Sequence, residues 1–569
     1  MAAFTLKVAP AAAGAAKLDT VPADGPGFAR AWRIATLQDT TPMAAIALQA
    51  PNALPVRQGD VGMIRFFGRT TSTADETGAG RVFVVVGTKG IDTENSFEGD
   101  FTLGSDWQEV LIPFVFSKDS QAGGATISLR FGFKRQTLEV GGVEVLDYAR
   151  TVAFADLPRT RFTYAGREPG AAWRREALER VNRIRQGNIA VTVTDRAGRP
   201  VPGAEVRIEE RRSAFQWGTA LEMAMIVRDS PDDLRYRKIA LELFNSGSTE
   251  NDLKWPVWLG EWDGDYSQAQ TLAGLRWLQD HGIGMRGHNL VWPGRKNLPK
   301  PVLDRLGTPQ QGEIPAIIDA HIREMCRATR GLVSEWDVLN EPMTNHDLMD
   351  AFGPGIMVDW FKTAREELPG TALFLNDFSN QDATTDAAHV AFFEKTVHFL
   401  VDHGAPVTGL GLQSHIGGRP GDPEHVLAVL DRYQAEFHLP VRITEFDVNT
   451  YDEELQADYT RDYLILCFSH PSVIGVQFWG FWEGAHWRPH AAMFRRDWSE
   501  RPAAKVYRDL VLDQWRTRAS GNTDANGGLS LRGFQGDYAL TATYQGRQIQ
   551  QEFTLPAQSS ATEVNVVLP

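Results

Sequence analysis

Val338-Leu339-Asn340-Glu341-Pro342 and Arg442-Ile443-Thr444-Glu445-Phe446-Asp447-Val448 are two short apolar runs, each meeting a glutamate where a strand should give way to a loop. Runs of this length without polar alternation fit strands covered on both faces, as in a parallel sheet. If the two belong to one barrel, their carboxyl groups can flank a single bond. One carboxyl must be protonated to donate to the leaving oxygen, and the other ionised to attack an anomeric carbon. A separation of about 5–5.5 Å leaves no room for an intervening water and gives retention of configuration.

Working outward, eight strand candidates lie within residues 213–516: Phe215–Leu221, Phe244–Ser248, Gly284–Val291, Ser334–Leu339, Ala372–Asn376, Val407–Gln413, Pro440–Thr444 and Val473–Trp479. Amphipathic stretches such as Pro315–Thr329 and Gln456–Phe468 separate them. Eight β–α units in about 300 residues predict a (β/α)8 TIM barrel, whose active face is formed by the C-terminal strand ends. Groups able to bond or stack on a ligand recur there: Glu222; Glu250 and Asn251; His288; Asn340 and Glu341; Asn376 and Asp377; His415; Glu445; Trp479. Glu341 would end the fourth strand and act as acid/base, because Asn340 beside it can bond a sugar 2-hydroxyl. Glu445 would end the seventh and act as nucleophile, with His415 as its partner and Asp447 orienting that histidine. An acid and a base of this kind give a bell-shaped pH–rate profile with an acidic to neutral optimum.

The same residues resemble glycoside hydrolase family ten, the endo-β-1,4-xylanases, over the whole of this segment. The matching motifs are Thr249-Glu250-Asn251-Asp252-Leu253-Lys254-Trp255, Arg286-Gly287-His288-Asn289-Leu290-Val291-Trp292, Trp336-Asp337-Val338-Leu339-Asn340-Glu341-Pro342 and Gly411-Leu412-Gln413-Ser414-His415. Thr444-Glu445-Phe446-Asp447, Phe478-Trp479-Gly480 and Trp487-Arg488 continue the series. The resemblance implies that Glu250, Asn251 and Lys254 hold the sugar two places before the cut. It implies that His288, Trp292, Asn340, Gln413 and His415 surround the sugar at the cut, and that Trp479 and Trp487 wall the site. The chain departs from the family at Pro293 and Arg295, where a histidine and a glutamine are usual, and at Phe378, where a tyrosine is common.

Residues 1–165 read as an all-β sandwich from about Phe28 to Thr163, with short runs such as Gly62–Phe67, Arg81–Val86, Gln108–Phe116 and Thr126–Phe133 between turn residues. This unit resembles the jelly-roll carbohydrate-binding modules that often precede polysaccharide hydrolases, with Trp32 and Trp107 as possible platform residues. Residues 166–187 hold a connector helix with Trp173, Ala177, Val181 and Ile184 on one face, ended by Gly187. Residues 188–212 resemble the opening half of a carboxypeptidase-regulatory-type β-sandwich, and residues 517–569 supply its closing half. We therefore expect one small sandwich split in sequence by an insert of about 310 residues, since the termini of a domain commonly lie close together.

The chain of 569 residues is too long for a single core. Its formal charge of −14 repels nucleic-acid phosphates, and no apolar run is long enough for a membrane span. Cys326 and Cys467, both in amphipathic segments, read as buried free thiols. No metal and no cofactor is called for. The Met1–Lys7 start lacks a charged and then apolar leader, so an extracellular or periplasmic location would require a leader removed or replaced. The expectation is thus a monomeric, retaining endo-xylanase acting on a xylan-type polysaccharide. The alternatives are the same mechanism on a β-1,4- or mixed-linkage glucan, or a catalytically silent carbohydrate-binding protein.

Overall fold

The computed structural model describes residues 4–40, 42–75, 78–88, 95–381, 387–450 and 452–569. The barrel is at its centre. Eight parallel strands, Gln216–Leu221, Ser246–Thr249, Gly284–Gly287, Glu335–Asn340, Ala372–Asp377, Gly409–Leu412, Val441–Val448 and Val473–Phe478, pair in chain order. The ring closes where Gln216 pairs with Gly475. The fourth and seventh strands are buried along their whole length, which is why they read as unbroken apolar runs. Helices between the strands present their apolar sides to them; Ile314–Ala328, for example, buries Ile318, Ile322 and Met325. Cys326 and Cys467 are buried free thiols.

The barrel interior is not wholly apolar. Arg286 on the third strand is 1% exposed and is held by Glu335 (Nε to Oε2, 3.0 Å) and by Asp337 on the fourth. A buried guanidinium is tolerable only with such paired carboxylates. The same Asp337 lies 3.0 Å from His288 Nδ1, just past the end of the third strand.

Two β units flank the barrel. The first is a sandwich of two five-stranded antiparallel sheets. One runs Thr5–Val8, Ile46–Pro51, Ala125–Arg130, Gly80–Thr88, Phe97–Leu103, and the other Ala16–Gly25, Phe28–Thr36, Gln136–Asp147, Val61–Thr73, Gln108–Val115. β-structure therefore begins at Thr5 rather than near Phe28. Thr5–Val8 and Ala16–Gly25 are edge strands whose half-exposed residues carry little apolar alternation. Trp32 is not a platform: it is 6% exposed and packs in the core against Phe4. Trp107 is half-buried, with Arg69 over its ring at 4.6 Å and Asp24 accepting from its Nε1 at 2.9 Å.

In the second unit Gln186–Thr194 lies between Gly528–Phe534, antiparallel, and Ala561–Val567, parallel. Glu205–Ser213 lies between Arg518–Asn522 and Gly536–Tyr544. Val191, Val193, Val206, Ile208, Leu540 and Val566 form its core. Strands from before and after the barrel thus share one sandwich.

The connector helix Ala172–Ile184 buries Trp173, Ala177 and Val181. Gly187 does not end it. Arg185 follows the last turn and donates to the carbonyls of Phe468, His470 and Val473, while Gly187 is already in a strand. Glycine is needed there for close approach: a Cβ would stand 2.9 Å from the Ser560 backbone. Arg174 of the helix, Tyr164 before it and Arg461 all converge on Asp462, whose side chain is fully buried in the helix Glu453–Ser469. This carboxylate ties the linker from the first sandwich to the barrel.

Candidate active site

Glu341 follows the fourth strand with φ +51°, a left-handed conformation that costs a side-chain-bearing residue of order 1 kcal/mol or more. Its N–H donates to the Asn376 carbonyl at 2.9 Å and its own carbonyl accepts from Asn345 N–H at 3.1 Å, which fix the turn. The carboxyl is then held by neutral donors. Trp292 Nε1 and Asn345 Nδ2 donate to Oε2 at 3.0 and 3.1 Å, and Gln413 Nε2 donates to Oε1 at 2.9 Å.

Glu445 lies inside its strand rather than at the end, since the strand continues to Val448. The extension exists because His415–Ile416 pairs with Asp447 and Val448 beyond the barrel proper. Asn376 Nδ2 donates to Glu445 Oε1 at 2.8 Å, and His415 Nε2 lies 3.3 Å from Oε2. His415 Nδ1 is 3.1 Å from Asp447 Oδ2. His288 Nδ1 lies 3.0 Å from Asp337 Oδ2 and 3.8 Å from Glu445 Oε1.

Burial opposes a charge on His415, but Asp447 and then Glu445 outweigh it and push the imidazole up to about 9. At neutral pH Glu445 therefore sits beside the His415 cation, while Trp292, Asn345 and Gln413 donate to Glu341. The folded-state value lies above the ~6.5 of an unfolded histidine, so the folded protein holds the proton more tightly. The stabilisation is fully present below about pH 6.5 and is lost as pH rises through about 9. Melting midpoints followed across that window are expected to fall more steeply for the native chain than for His415→Gln; parallel curves would remove His415 from the alkaline transition.

The remaining sequence-derived residues converge on the same mouth. Lys254 donates to Asn251 Oδ1 at 2.8 Å and lies 5.3 Å from the centre of the Trp292 ring. Burial, reinforced by the charge of Glu222, pushes Glu250 up to about 8. Burial also pulls the Lys254 ammonium below its ordinary range, against the surrounding carboxylates. Trp479 meets His288 edge-on at 5.0 Å, and Trp487 lies 4.6 Å from His415 while donating to Asp447 Oδ2 at 2.8 Å. All twelve site residues named from the sequence are thus brought to one face.

Among the buried polar atoms there that have no hydrogen-bond partner in the described residues are Asn340 Nδ2 and Gln413 Oε1. Unpaired buried polar atoms are costly, and a sugar hydroxyl supplies both an acceptor and a donor.

Asn376, Asn345 and Glu222 are absent from that set of twelve. Asn376 links the centre: its Nδ2 also donates to Asn340 Oδ1 at 2.9 Å, and Thr444 Oγ1 donates to its Oδ1 at 2.7 Å. The only sequence signal for it was its place at the fifth strand end. The departures from the family pattern are partly structural. Arg295 is exposed with its backbone N–H donating to Asp347, whereas Phe378 is buried against His389.

Residues 209–510, more than half of the chain, match the family model described as Glycosyl hydrolase family 10. The chain belongs to glycosyl hydrolase family 10. Among curated proteins it is 31% identical over 396 residues to Anti-sigma-I factor RsgI6 of Acetivibrio thermocellus, covering 68% of this chain and 49% of that one. It is 27% identical over 369 residues to Endo-1,4-beta-xylanase 1 of Arabidopsis thaliana, covering 64% of this chain and 37% of that one. The chain therefore spans no more than about half the length of these curated relatives. Among solved structures, native xylanase 10B from Thermotoga maritima aligns with a TM-score of 0.47 and 25% identity, over 53% of this chain and 96% of that chain. Glu341 and Glu445 both fall inside the family 10 span, whereas the first sandwich lies outside it.

Proposed function

We propose that the protein is a retaining endo-acting glycoside hydrolase that cuts the β-1,4-xylan backbone by double displacement. The observation that carries this reading is the hydrogen-bonded bridge from Glu341 through Gln413, Asn340 and Asn376 to Glu445. It fixes two carboxyl groups in one cleft with different surroundings, as two roles require. Glu445, beside the His415 cation, attacks the anomeric carbon as the bond to the leaving oxygen breaks and Glu341 gives that oxygen its proton. A covalent glycosyl ester forms on Glu445. Glu341 then takes a proton from water as that water attacks the same carbon and releases Glu445. Trp292, Trp479 and Trp487 offer apolar walls to the rings, and Glu250, Asn251 and Lys254 offer hydroxyl partners.

The xylan assignment draws on the family and on the xylanase among its relatives. A second reading, the same chemistry on another β-glycan, is motivated by Pro293 and Arg295, which stand where the family has a histidine and a glutamine. Product analysis on xylan, β-1,4-glucan and mixed-linkage glucan separates the two. Xylan is expected to be cut to short oligosaccharides; cutting of a glucan with xylan untouched would replace the substrate and leave the mechanism. Binding without turnover on any of the three would overturn the enzyme reading itself.

A further inference from the structure

The first sandwich does not stand clear of the catalytic face. It sits on the loops that follow the sixth, seventh and eighth barrel strands. Phe162 packs against the cores of both units. Asp75 Oδ1 lies 3.5 Å from Arg488 Nη2, and a Cβ on Gly104 would stand 2.6 Å from the Arg419 guanidinium. Between the two units runs a groove of about 620 Å³.

One wall of this groove is already part of the active site. Trp487, which touches His415 and bonds Asp447, also lines the groove. It is 38% exposed, whereas Trp479 and Trp482 are buried. The opposite wall belongs to the sandwich. The strand Gly80–Thr88 buries Val82, Val84 and Val86 in the sandwich core, but on its other face Phe83 and Val85 form a separate apolar cluster with Phe133. Phe83 and Phe133 line the groove.

The polar lining is balanced in charge: Asp39, Asp75 and Asp100 face Arg81, Lys134 and Arg488. Such a surface selects neither an anion nor a cation. Apolar rings with a few fixed donors and acceptors suit an uncharged sugar. The Asp100 side chain is 5% exposed, and Arg81 bonds its Oδ2. Its buried Oδ1 has no hydrogen-bond partner among the described residues. Asp100 is one of the residues that line the groove, and buried acceptors left unpaired call for a donor.

We propose that this groove is a distal glycan subsite, taking neutral sugar units of the same polysaccharide that is cut between Glu341 and Glu445. The N-terminal sandwich is then a wall of the substrate cleft, continuous with it through Trp487. The proposal rests on the glycosidase reading above and adds to it a length requirement: chains long enough to pass Trp487 gain contacts that short ones lack.

The test is calorimetric binding of β-1,4-linked xylose oligomers of two and six units to the intact chain carrying Glu445→Gln, with and without Asp100→Asn. The amide keeps an acceptor for Arg81 but places a donor at the groove. Affinity for the six-unit chain is expected to fall about fivefold to tenfold, the usual effect of spoiling one hydrogen bond in a site, and by much less for the two-unit chain. If Asp100→Asn lowers the melting midpoint, Lys134→Ala on the groove rim replaces it, with a smaller loss in the same length-dependent pattern. Equal losses at both lengths, or no loss at six units, would overturn the groove proposal alone. Failure of the Glu445→Gln chain to bind either oligomer would overturn the xylan reading and the groove proposal with it.

Discussion

Glu445→Gln is expected to lower turnover of xylan by about 10⁴-fold or more, the scale seen when a covalent nucleophile is removed. The variant should keep its circular dichroism spectrum and a near-native melting midpoint. The amide fills the same space and can still accept from Asn376 Nδ2, which lies 2.8 Å from Glu445 Oε1. Glu341→Gln is expected to differ in kind. It removes the proton donor, so xylan hydrolysis falls steeply. The first step on an aryl glycoside whose phenolate leaves without protonation should survive, with a burst of phenol before slow release of the sugar. Reversal of these two patterns would exchange the roles of the two glutamates. The surroundings argue for the order given: His415, with its imidazole pushed up to about 9, lies beside Glu445, while Trp292, Asn345 and Gln413 hold Glu341.

The largest expected effect on stability lies away from the catalytic face. Asp462 accepts from Tyr164 Oη at 2.8 Å, from Arg174 at 2.8 and 2.6 Å, and from Arg461 at 2.8 Å, with its side chain fully buried. Asp462→Ala takes the carboxylate from the buried Arg174 and the acceptor from Tyr164, while Arg461 keeps Asp458. Breaking a buried pair in this way costs about 3–5 kcal/mol, equivalent to a drop of roughly 10 °C in melting midpoint for a unit of this size. Tyr164→Phe, which removes one neutral donor, should cost about 1 kcal/mol. Thermal melting monitored together with proteolysis of the 157–171 linker would check both. A shift under about 2 °C for Asp462→Ala, within the range of an ordinary surface change, would mean that this carboxylate does not tie the linker to the barrel.

Much of this architecture is legible in the chain because parallel barrel strands, buried on both faces, leave unbroken apolar runs that end in polar residues. Glu341 and its neighbours could be placed that way. What could not be read are relations between residues far apart in sequence. Asn376 links Asn340 and Glu445 from a different strand, and nothing local marks it as central. Asp75 meets Arg488 across 413 positions. Glu445 reads as a strand end because it follows the strand candidate Pro440–Thr444, yet the strand continues, supported by the two-residue pairing with His415 and Ile416. Gly187 looked like a helix terminator because glycine often is one. Here it serves the close passage of Ser560, just before the neighbouring strand Ala561–Val567. Trp32 illustrates the ambiguity of aromatic residues in sandwiches, since a platform and a core residue share the same local pattern.

The assignment of two glutamates to acid/base and nucleophile stands or falls on stereochemistry. Proton NMR of the reaction mixture within the first minutes of xylo-oligosaccharide hydrolysis records the anomer formed before mutarotation. The β-anomer is expected at the new reducing end. Initial release of the α-anomer would mean a single displacement by water, and would contradict Glu445 as the nucleophile.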